Sequence, residues 1–371
     1  MFDWRRWQTR LRRKSTLARP RLLFFSHETT WSGAPIQLLH LIRWFHESGW
    51  PIGVAVPALT TLEAGPITAE LVQAGIEIFP ILDLSQPPDL TALAALARRY
   101  DVVIANTLVM WAAVQAARNE NVATIWYIHE SRVAEHLVRQ VAEIEPTFAL
   151  ADLLVMPTER TAALYRQWTK RPIEVVPYGI PAVRPNEPCA RNEPAKCHFL
   201  LLGSFEHRKG QDVLIGAIKR LPFSLQGQAV FRLAGRVLDE RYLEEIERAA
   251  ADVPNVELLP ALEHEEALAS LAASDVLVCT SRDETLPVAI LEAMSLGKTI
   301  VTANVGGITE WLAHGKNSLL FPAEDISALS DALTRCVREP RLRRSLGKAG
   351  RKLFQKNFSL DRLGQRFTAL I

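Results

Sequence analysis

Short, nearly continuous apolar runs alternate along the chain with longer segments in which apolar residues recur at helical spacing. The runs contain few polar interruptions, as strands do when helices cover a parallel sheet on both faces. This alternation predicts doubly wound, Rossmann-like parallel sheets of the α/β class. The predicted strands are residues 21–26, 52–57, 76–80, 101–106, 122–130, 152–157 and 173–177, and, after a break, 197–203, 228–235, 255–260, 275–279 and 298–304.

The break at residues 181–196 contains four prolines and several charged residues without apolar periodicity, which is typical of a linker. We therefore expect two domains of the same class facing a cleft, formed by residues 21–180 and 197–355. Helical spacing continues over residues 326–356. Residues 356–371 are predicted to form a last helix that crosses back to the first domain.

Charge is unevenly distributed, although the formal net charge of the chain is only +2. Residues 1–21 carry eight Arg or Lys residues against Asp3 alone, which leaves the remaining residues with a net charge of −5. A mildly acidic body argues against nucleic acid as the main ligand. Within residues 1–20, Trp4, Trp7 and Leu11 follow helical spacing among arginines. The pattern fits a basic amphipathic tail whose residues 1–19 contact an anionic membrane, and equally a solvated tail.

The chain has no apolar run of the roughly 18–20 residues that a membrane span needs, and its basic N-terminus lacks the apolar core of a secretory signal. Its four cysteines show no metal-ligand spacing, which favours a reducing compartment. We therefore expect a cytoplasmic protein, with any membrane contact being peripheral and on the inner face.

The stretch from residue 281 to 304 has the pattern of a ligand site. A buried strand ends, the polar turn SRDET follows, and a helix with apolar spacing begins near Pro287 and ends at Gly297. In an open α/β sheet, ligands bind at the carboxyl ends of strands, and the free amides of a helix start suit a phosphate. Glu284 and Glu292 bracket this start, and both would repel an anion unless they face its neutral hydroxyl groups. A phosphate flanked by sugar hydroxyls, as in a nucleotide sugar, meets that condition.

A second candidate lies at the start of the second domain, where Arg208 and Lys209 stand between its first strand and its first helix. A guanidinium and an ammonium group at this edge would neutralise a diphosphate. The alternative is an ordinary exposed basic pair; the acidic turn predicted at the same sheet edge favours the functional interpretation.

Three segments together resemble a known family: RKGQDVLI, the E-x7-E spacing from Glu284 to Glu292, and the run EAMSLGKTIVTANVGGITEWLAHGKNSLLFPAED. They are similar to the C-terminal half of the retaining family-four (group 1) glycosyltransferases, which have the GT-B architecture. The resemblance covers most of residues 20–371 and is strongest over 200–325. It implies a nucleotide-sugar domain at 197–355 and an acceptor domain at 21–180.

The resemblance also implies individual roles that spacing alone does not assign. Glu292 would hold the nucleotide ribose, and Glu284 would contact the donor sugar. Arg208 and Lys209 would bind the diphosphate, with Lys209 and Glu284 counted as catalytic. Backbone amides around Thr285 and Leu286 would meet the phosphates or the sugar.

In the first domain, TTWSGAPIQLL resembles the family's Gly-rich loop, so Gly33 is expected near the donor phosphates. An ordinary strand-to-helix turn would have the same sequence. His129, at the end of the strand WYIHE, matches a family histidine that lies near the donor sugar and is counted as catalytic. The chain departs from the family where many members have an arginine after the first strand of the second domain; here that residue is Ser204. A frequent aspartate after the linker's Y-G-I is Pro181 here.

These resemblances imply a retaining transferase that moves a hexosyl unit from a nucleotide sugar to a saccharide or lipid-linked acceptor, in polysaccharide or glycolipid biosynthesis. Two alternatives stay open: a nucleotide-sugar epimerase of the same architecture, and a non-catalytic GT-B scaffold. The sequence contains no D-x-D motif, so we expect neither an obligatory metal ion nor a cofactor beyond the donor itself.

Overall fold

A computed structural model describes residues 19–57, 65–82, 88–184 and 195–371. The predicted tail, apart from residues 19 and 20, and most of the predicted linker lie outside these ranges. The chain divides into two compact units. Unit 1 extends to Ile180 and includes Leu360–Ile371, and unit 2 is Pro181–Ser359.

Unit 1 contains a seven-stranded, wholly parallel sheet, in the order β3-β2-β1-β4-β5-β6-β7. The strand interiors carry the apolar runs seen in the sequence, and β1 and β4 are buried along their whole length. The chain crosses from one side of β1 to the other between β3 and β4, as doubly wound sheets do. The strands are β1 Leu22–Phe25, β2 Ile52–Pro57, β3 Glu77–Leu82, β4 Val102–Asn106, β5 Ala123–Tyr127, β6 Leu153–Met156 and β7 Ile173–Val175.

The helices of unit 1 are α1 Gly33–Glu47, α2 Pro66–Gln73, α3 Leu90–Ala97, α4 Trp111–Asn119, α5 Val133–Gln140, α6 Ile144–Thr147 and α7 Glu159–Tyr165. Residues 133–147 form two helices and not one, because Val141, the C-cap of α5, adopts an extended conformation. A separate 3-10 turn, Leu108–Met110, precedes α4.

Unit 2 contains a six-stranded parallel sheet, in the order β10-β9-β8-β11-β12-β13. Its crossover places β8 beside β11. The strands are β8 Cys197–Leu202, β9 Ala229–Ala234, β10 Val256–Leu259, β11 Val276–Cys279, β12 Thr299–Ala303 and β13 Leu319–Phe321. The sequence pattern does not predict the edge strand β13, because three residues are too few to establish a period.

The helices of unit 2 are α8 Gln211–Lys219, α9 Phe223–Gln226, α10 Glu240–Ala250, α11 His264–Ala273, α12 Val288–Leu296, α13 Ile326–Arg338 and α14 Pro340–Asn357. Pro287 is the N-cap of α12 in an extended conformation, so the helix begins one residue after it. None of the helices in the described ranges is both long and apolar enough to cross a bilayer.

The last helix, α15 Leu360–Leu370, belongs to unit 1. It packs on α1, and a β-carbon at Gly364 would clash with the indole of Trp44. Phe367 reaches the ring of Tyr127 in β5, with 4.9 Å between the ring centroids. The boundary predicted at residue 356 falls inside α14, so the returning segment begins later than expected.

Candidate functional site

Two loops meet where the neighbouring strands β8 and β11 end. A 3-10 turn, His207–Lys209, leads from β8 to α8. Thr280 follows β11, and its hydroxyl donates to the carbonyl oxygen of Lys209 over 3.0 Å. Gly210 has a φ of +68° and lies so close that a β-carbon there would clash with the carbonyl of Thr280. This position therefore requires glycine, which brings the basic pair onto the acidic turn.

The carboxylate of Glu284 is the centre of the resulting cluster. It forms a salt bridge with the ammonium group of Lys209, and its Oε1 lies 3.5 Å from Nη1 of Arg208. Ser281 Oγ donates to the same oxygen over 3.0 Å. Burial alone would raise the pKa of Glu284, but Lys209 and Arg208 outweigh it and lower the pKa below its usual value. Glu284 is therefore an ionised carboxylate held between two cations.

Ser204, where many family members have an arginine, takes part in a different contact. Its hydroxyl donates to Glu206 Oε1 over 2.6 Å, and that oxygen accepts from Arg208 Nη2 over 2.8 Å. Arg208 Nη1 also donates to the carbonyl of Asp283 over 3.3 Å. Ser204 thus helps to orient a guanidinium group, and the chain keeps an arginine at this edge.

Arg282 fixes the acidic turn from its other side, and no sequence motif singles it out. Its guanidinium pairs with Asp212 in α8 over 2.8 Å and with Glu324 over 2.8 Å. The hydroxyl of Tyr242 donates to Asp212 Oδ1 over 2.6 Å. Asp212 is 70 residues from Arg282, so no local spacing could have indicated the pair.

The glycines of the following loop support the turn through backbone contacts. Gly306 has a φ of +65°, and a β-carbon there would clash with the carbonyl oxygen of Glu284. The amide of Gly307 donates to the carbonyl of Thr285 over 2.8 Å. The loop therefore helps to fix the backbone position of Glu284 through these contacts.

Gly306→Ala should destabilise the protein by about 2–4 kcal/mol and weaken ligand binding by Glu284, because it adds a clash to an unfavourable φ. Gly315→Ala is the matched control, since Gly315 has a φ of +74° but no atom of a described residue within 4 Å of the position that a β-carbon would take. Urea unfolding and ligand titration compare the two. Equal effects on both measurements would show that the contact with Glu284 does not matter.

The remaining predicted residues of unit 2 lie on the following loop and helix. The side chain of Leu286 is buried in the core, so only its backbone can meet a ligand. Glu292 is in the second turn of α12, 8% exposed, with its Oε1 4.0 Å from Nε2 of His264. Burial raises the pKa of Glu292 to about 7. The structure brings Lys209, Arg208 and Glu284 into contact. The carboxylate of Glu292 pairs with His264 and is not part of that cluster.

In unit 1, His129 follows β5 and is 7% exposed. Its Nε2 lies 2.7 Å from Asn106 Oδ1 and its Nδ1 lies 2.7 Å from the hydroxyl of Tyr178. The amide oxygen can only accept, so Nε2 carries the proton and Tyr178 donates to Nδ1. Burial, helped by the nearby His27, lowers the pKa of His129 to about 3. His129 is therefore a neutral imidazole of defined tautomer.

Asn106 connects His129 to the start of α1. Its Nδ2 donates to the carbonyl of Ala34 over 3.5 Å, next to Gly33. Gly33 is exposed, begins the helix, and has open space where a β-carbon would project. None of the described residues requires glycine at this position. Asn106 thus contacts both His129 and the residue that follows Gly33.

Comparison with known proteins yields two family matches that between them cover most of the chain. The family described as "Glycosyl transferases group 1" matches residues 190–353, and "Glycosyl-transferase family 4" matches residues 19–177. Both boundaries fall close to the division between units 1 and 2.

The individual relatives have low sequence identity to this chain and match only part of it. An uncharacterized glycosyltransferase of Methanocaldococcus jannaschii is 29% identical over 165 residues, 44% of each chain. A GDP-mannose-dependent monoacylated alpha-(1-6)-phosphatidylinositol monomannoside mannosyltransferase of Corynebacterium glutamicum is 29% identical over 172 residues, again 44% of each. The matches thus span less than half the length of these two relatives. Among solved structures, Anabaena HepE in complex with UDP-glucose superposes with a TM-score of 0.79 at 19% identity, covering 94% of this chain and 98% of HepE.

Proposed function

Because the chain belongs to the group 1 glycosyltransferases and has the GT-B architecture, we propose that it transfers a sugar from a nucleotide-sugar donor to a saccharide or lipid-linked acceptor. The observation that carries the proposal is the contact of Lys209 and Arg208 with Glu284 at the carboxyl ends of β8 and β11. Cations and a carboxylate at one sheet edge suit a ligand that is anionic at one end and rich in hydroxyl groups at the other.

The donor would enter this cluster by exchanging partners. In the free protein both cations are held by Glu284, so they are already in place when a diphosphate arrives. The diphosphate would take over Lys209 and Arg208, and the amides near Thr285 and Leu286 would complete its binding. Glu284 would then accept hydrogen bonds from sugar hydroxyls, while Glu292 would accept them from the ribose.

In the transfer step, negative charge accumulates on the departing diphosphate, and Lys209 and Arg208 stabilise it where it develops. Glu284 is a poor candidate for a covalent nucleophile, because its carboxylate has a lowered pKa and several hydrogen-bond partners. The family resemblance implies retention at the anomeric carbon. Because no protein nucleophile is proposed, we propose that retention follows a front-face path, in which the departing phosphate accepts the proton of the acceptor hydroxyl.

The decisive experiment incubates the protein with UDP-, GDP- and ADP-sugars and follows diphosphate release with and without saccharide and lipid-linked acceptors. A transferase releases diphosphate in step with glycosylated product, and NMR of that product gives its anomeric configuration. Acceptor-independent donor turnover would favour the epimerase alternative. Absence of turnover with every donor would favour the non-catalytic scaffold.

We propose that no divalent metal takes part, on the basis of the two cations at the diphosphate position and the lack of a D-x-D motif. Turnover should then be unchanged by EDTA. A loss that added magnesium or manganese restores would contradict this part of the proposal.

His129 is proposed to position the donor sugar as a neutral hydrogen-bonding group. His129→Ala should lower turnover by about 10- to 100-fold, because loss of a buried hydrogen-bonding group costs about 1–3 kcal/mol. Because the pKa of His129 is about 3, wild-type activity should show no titration of His129 between pH 5.5 and 8. Tyr178→Phe, which removes only the hydrogen bond to Nδ1, is the control for the tautomer. A pH-dependent step that disappears in His129→Ala would show that the imidazole ionises during turnover.

A cytoplasmic location with peripheral membrane contact through residues 1–19 is the remaining part of the proposal. Removing residues 1–19 should weaken binding to anionic vesicles by about 100-fold or more, because the segment is strongly basic and each basic residue near the surface contributes to adsorption. Sedimentation with vesicles measures the difference. Turnover with a water-soluble acceptor should be unaffected, and unchanged vesicle binding would remove the tail from the proposal.

A further inference from the structure

The helix α14 presents a strongly basic surface that the proposed transfer does not use. Its eighteen residues include no acid, and six exposed cations form what we term the basic face. These six residues are Arg341, Arg344, Lys348, Arg351, Lys352 and Lys356. At 100° per residue they fall within an arc of about 140°, along about 22 Å of helix. The neutral residues Ser345 and Gln355 share this arc, and no apolar side chain does.

The opposite side of α14 is fixed to unit 2. Leu346, Gly350 and Phe354 are buried there, and a β-carbon at Gly347 would clash with the carbonyl of Gly297. The helix therefore cannot turn its charges inward. Its other cation, Arg343, is on the packed side and donates to the carbonyl of Cys336, which gives it a structural role.

The cations of the basic face have no such role. None of the six pairs with an acid among the described residues, whereas exposed arginines elsewhere do so: Arg335 lies 3.3 Å from Glu339, and Arg98 lies 2.9 Å from Glu120. Six like charges on adjacent turns repel one another, which costs stability without a compensating contact. An external anionic partner would remove that repulsion.

We propose that the basic face is a docking surface for the headgroups of anionic phospholipids in a membrane. The cations lie on one side of a helix whose other side is packed on unit 2, so a flat surface can meet all of them at once. The absence of apolar side chains on this arc indicates adsorption to headgroups and not insertion. The rest of the chain disfavours a nucleic acid as the partner, because it is acidic. Without the basic residues 1–21 and the helix α14 (residues 340–357), the net charge is −12.

This surface belongs to unit 2 and is distinct from the segment 1–19. Membrane binding would thus have two separate basic determinants, one in the N-terminal tail and one in the nucleotide-sugar unit. The inference does not depend on sugar transfer, because it rests on the exposure and charge of α14 alone.

The test compares two full-length variants that each lose four positive charges. The basic-face variant is Arg341→Gln, Arg344→Gln, Lys348→Gln and Lys352→Gln. The control variant removes four exposed cations elsewhere: Lys170→Gln, Lys219→Gln, Arg220→Gln and Arg241→Gln. Cosedimentation uses vesicles of phosphatidylcholine with and without phosphatidylglycerol.

We expect the basic-face variant to bind the phosphatidylglycerol vesicles about 100-fold more weakly than wild type, and the control variant to stay within about threefold. A version with lysine in place of Arg341, Arg344 and Arg351 keeps its charge and should bind normally. Thermal melting and binding of a nucleoside diphosphate establish that each variant is folded. Equal losses in the two glutamine variants, or binding to phosphatidylcholine alone, would overturn the inference. So would a preference for an oligonucleotide that competes with the vesicles.

Discussion

Lys209→Met should lower the rate of sugar transfer by about 100- to 1,000-fold, the range observed when one preorganised group that stabilises developing charge is removed. The diphosphate gains charge as it leaves, and Lys209 is the cation in direct contact with Glu284 at the end of β8. The loss should fall mainly on kcat, because the interaction strengthens in the transition state. Steady-state kinetics with a saturating donor and acceptor measure it.

Loss of Lys209 also leaves the buried carboxylate of Glu284 with Arg208 as its remaining cation, so the fold must be controlled for. The double variant Lys209→Met/Glu284→Gln removes both charges and should recover stability without recovering activity. Lys219→Met, an exposed lysine at the end of α8, is the control for charge alone. Wild-type turnover in Lys209→Met, or restored turnover in the double variant, would mean that Lys209 is only a structural partner of Glu284.

The sheet strands are the part of the fold that the sequence predicts best. The predicted strand at 52–57 coincides with β2, and the run at 101–106 contains β4, whose residues are all buried. Continuous apolar runs identify such strands because both faces are covered. Short elements such as β13 and α9 escape prediction, since three or four residues carry no measurable period.

The sequence predicts only those site residues that belong to a local motif. Arg208, Lys209 and Glu284 could be proposed to meet, because parallel strands end at one edge. The partners that hold them could not: Arg282 finds Asp212 across 70 residues of sequence, and Gly306 supports Glu284 from a different loop. Such contacts follow from tertiary packing, and no spacing in a single sequence encodes them.

Ser204 is a position where the sequence alone suggests the wrong consequence. Many members of the family have an arginine there, so a serine by itself suggests a weaker phosphate site. In the structure its hydroxyl reaches Glu206, which in turn holds Arg208. The departure is therefore accompanied by a local hydrogen-bond network, whose existence depends on side-chain positions that the sequence does not give.

Glu292→Gln should weaken donor binding by about 10- to 100-fold and at the same time stabilise the free protein at alkaline pH. A carboxylate accepts charge-assisted hydrogen bonds from two ribose hydroxyls, and the amide can accept only weaker ones. The opposite effect on stability follows from burial, which raises the pKa of Glu292 from 4.5 to about 7. Between these values the folded protein binds a proton that the unfolded chain releases, so stability falls as the pH rises.

The loss of folding stability caused by ionising Glu292 is absent below pH 4.5 and develops between pH 4.5 and 7. Above pH 7 it amounts to about 3 kcal/mol. Urea unfolding should therefore separate Glu292→Gln from wild type much more at pH 8 than at pH 5. Donor titrations should show wild-type affinity rising from pH 6 to 8 as Glu292 ionises, and no such rise in the variant. Glu265→Gln, an exposed glutamate in α11, should change neither measurement. If Glu292→Gln binds the donor normally yet gains stability at pH 8, Glu292 is a buried acid without a role in ribose recognition. If Glu292→Gln loses donor affinity without gaining stability at pH 8, ionisation of Glu292 does not destabilise the folded protein. Donor binding and stability would then not oppose each other at this position.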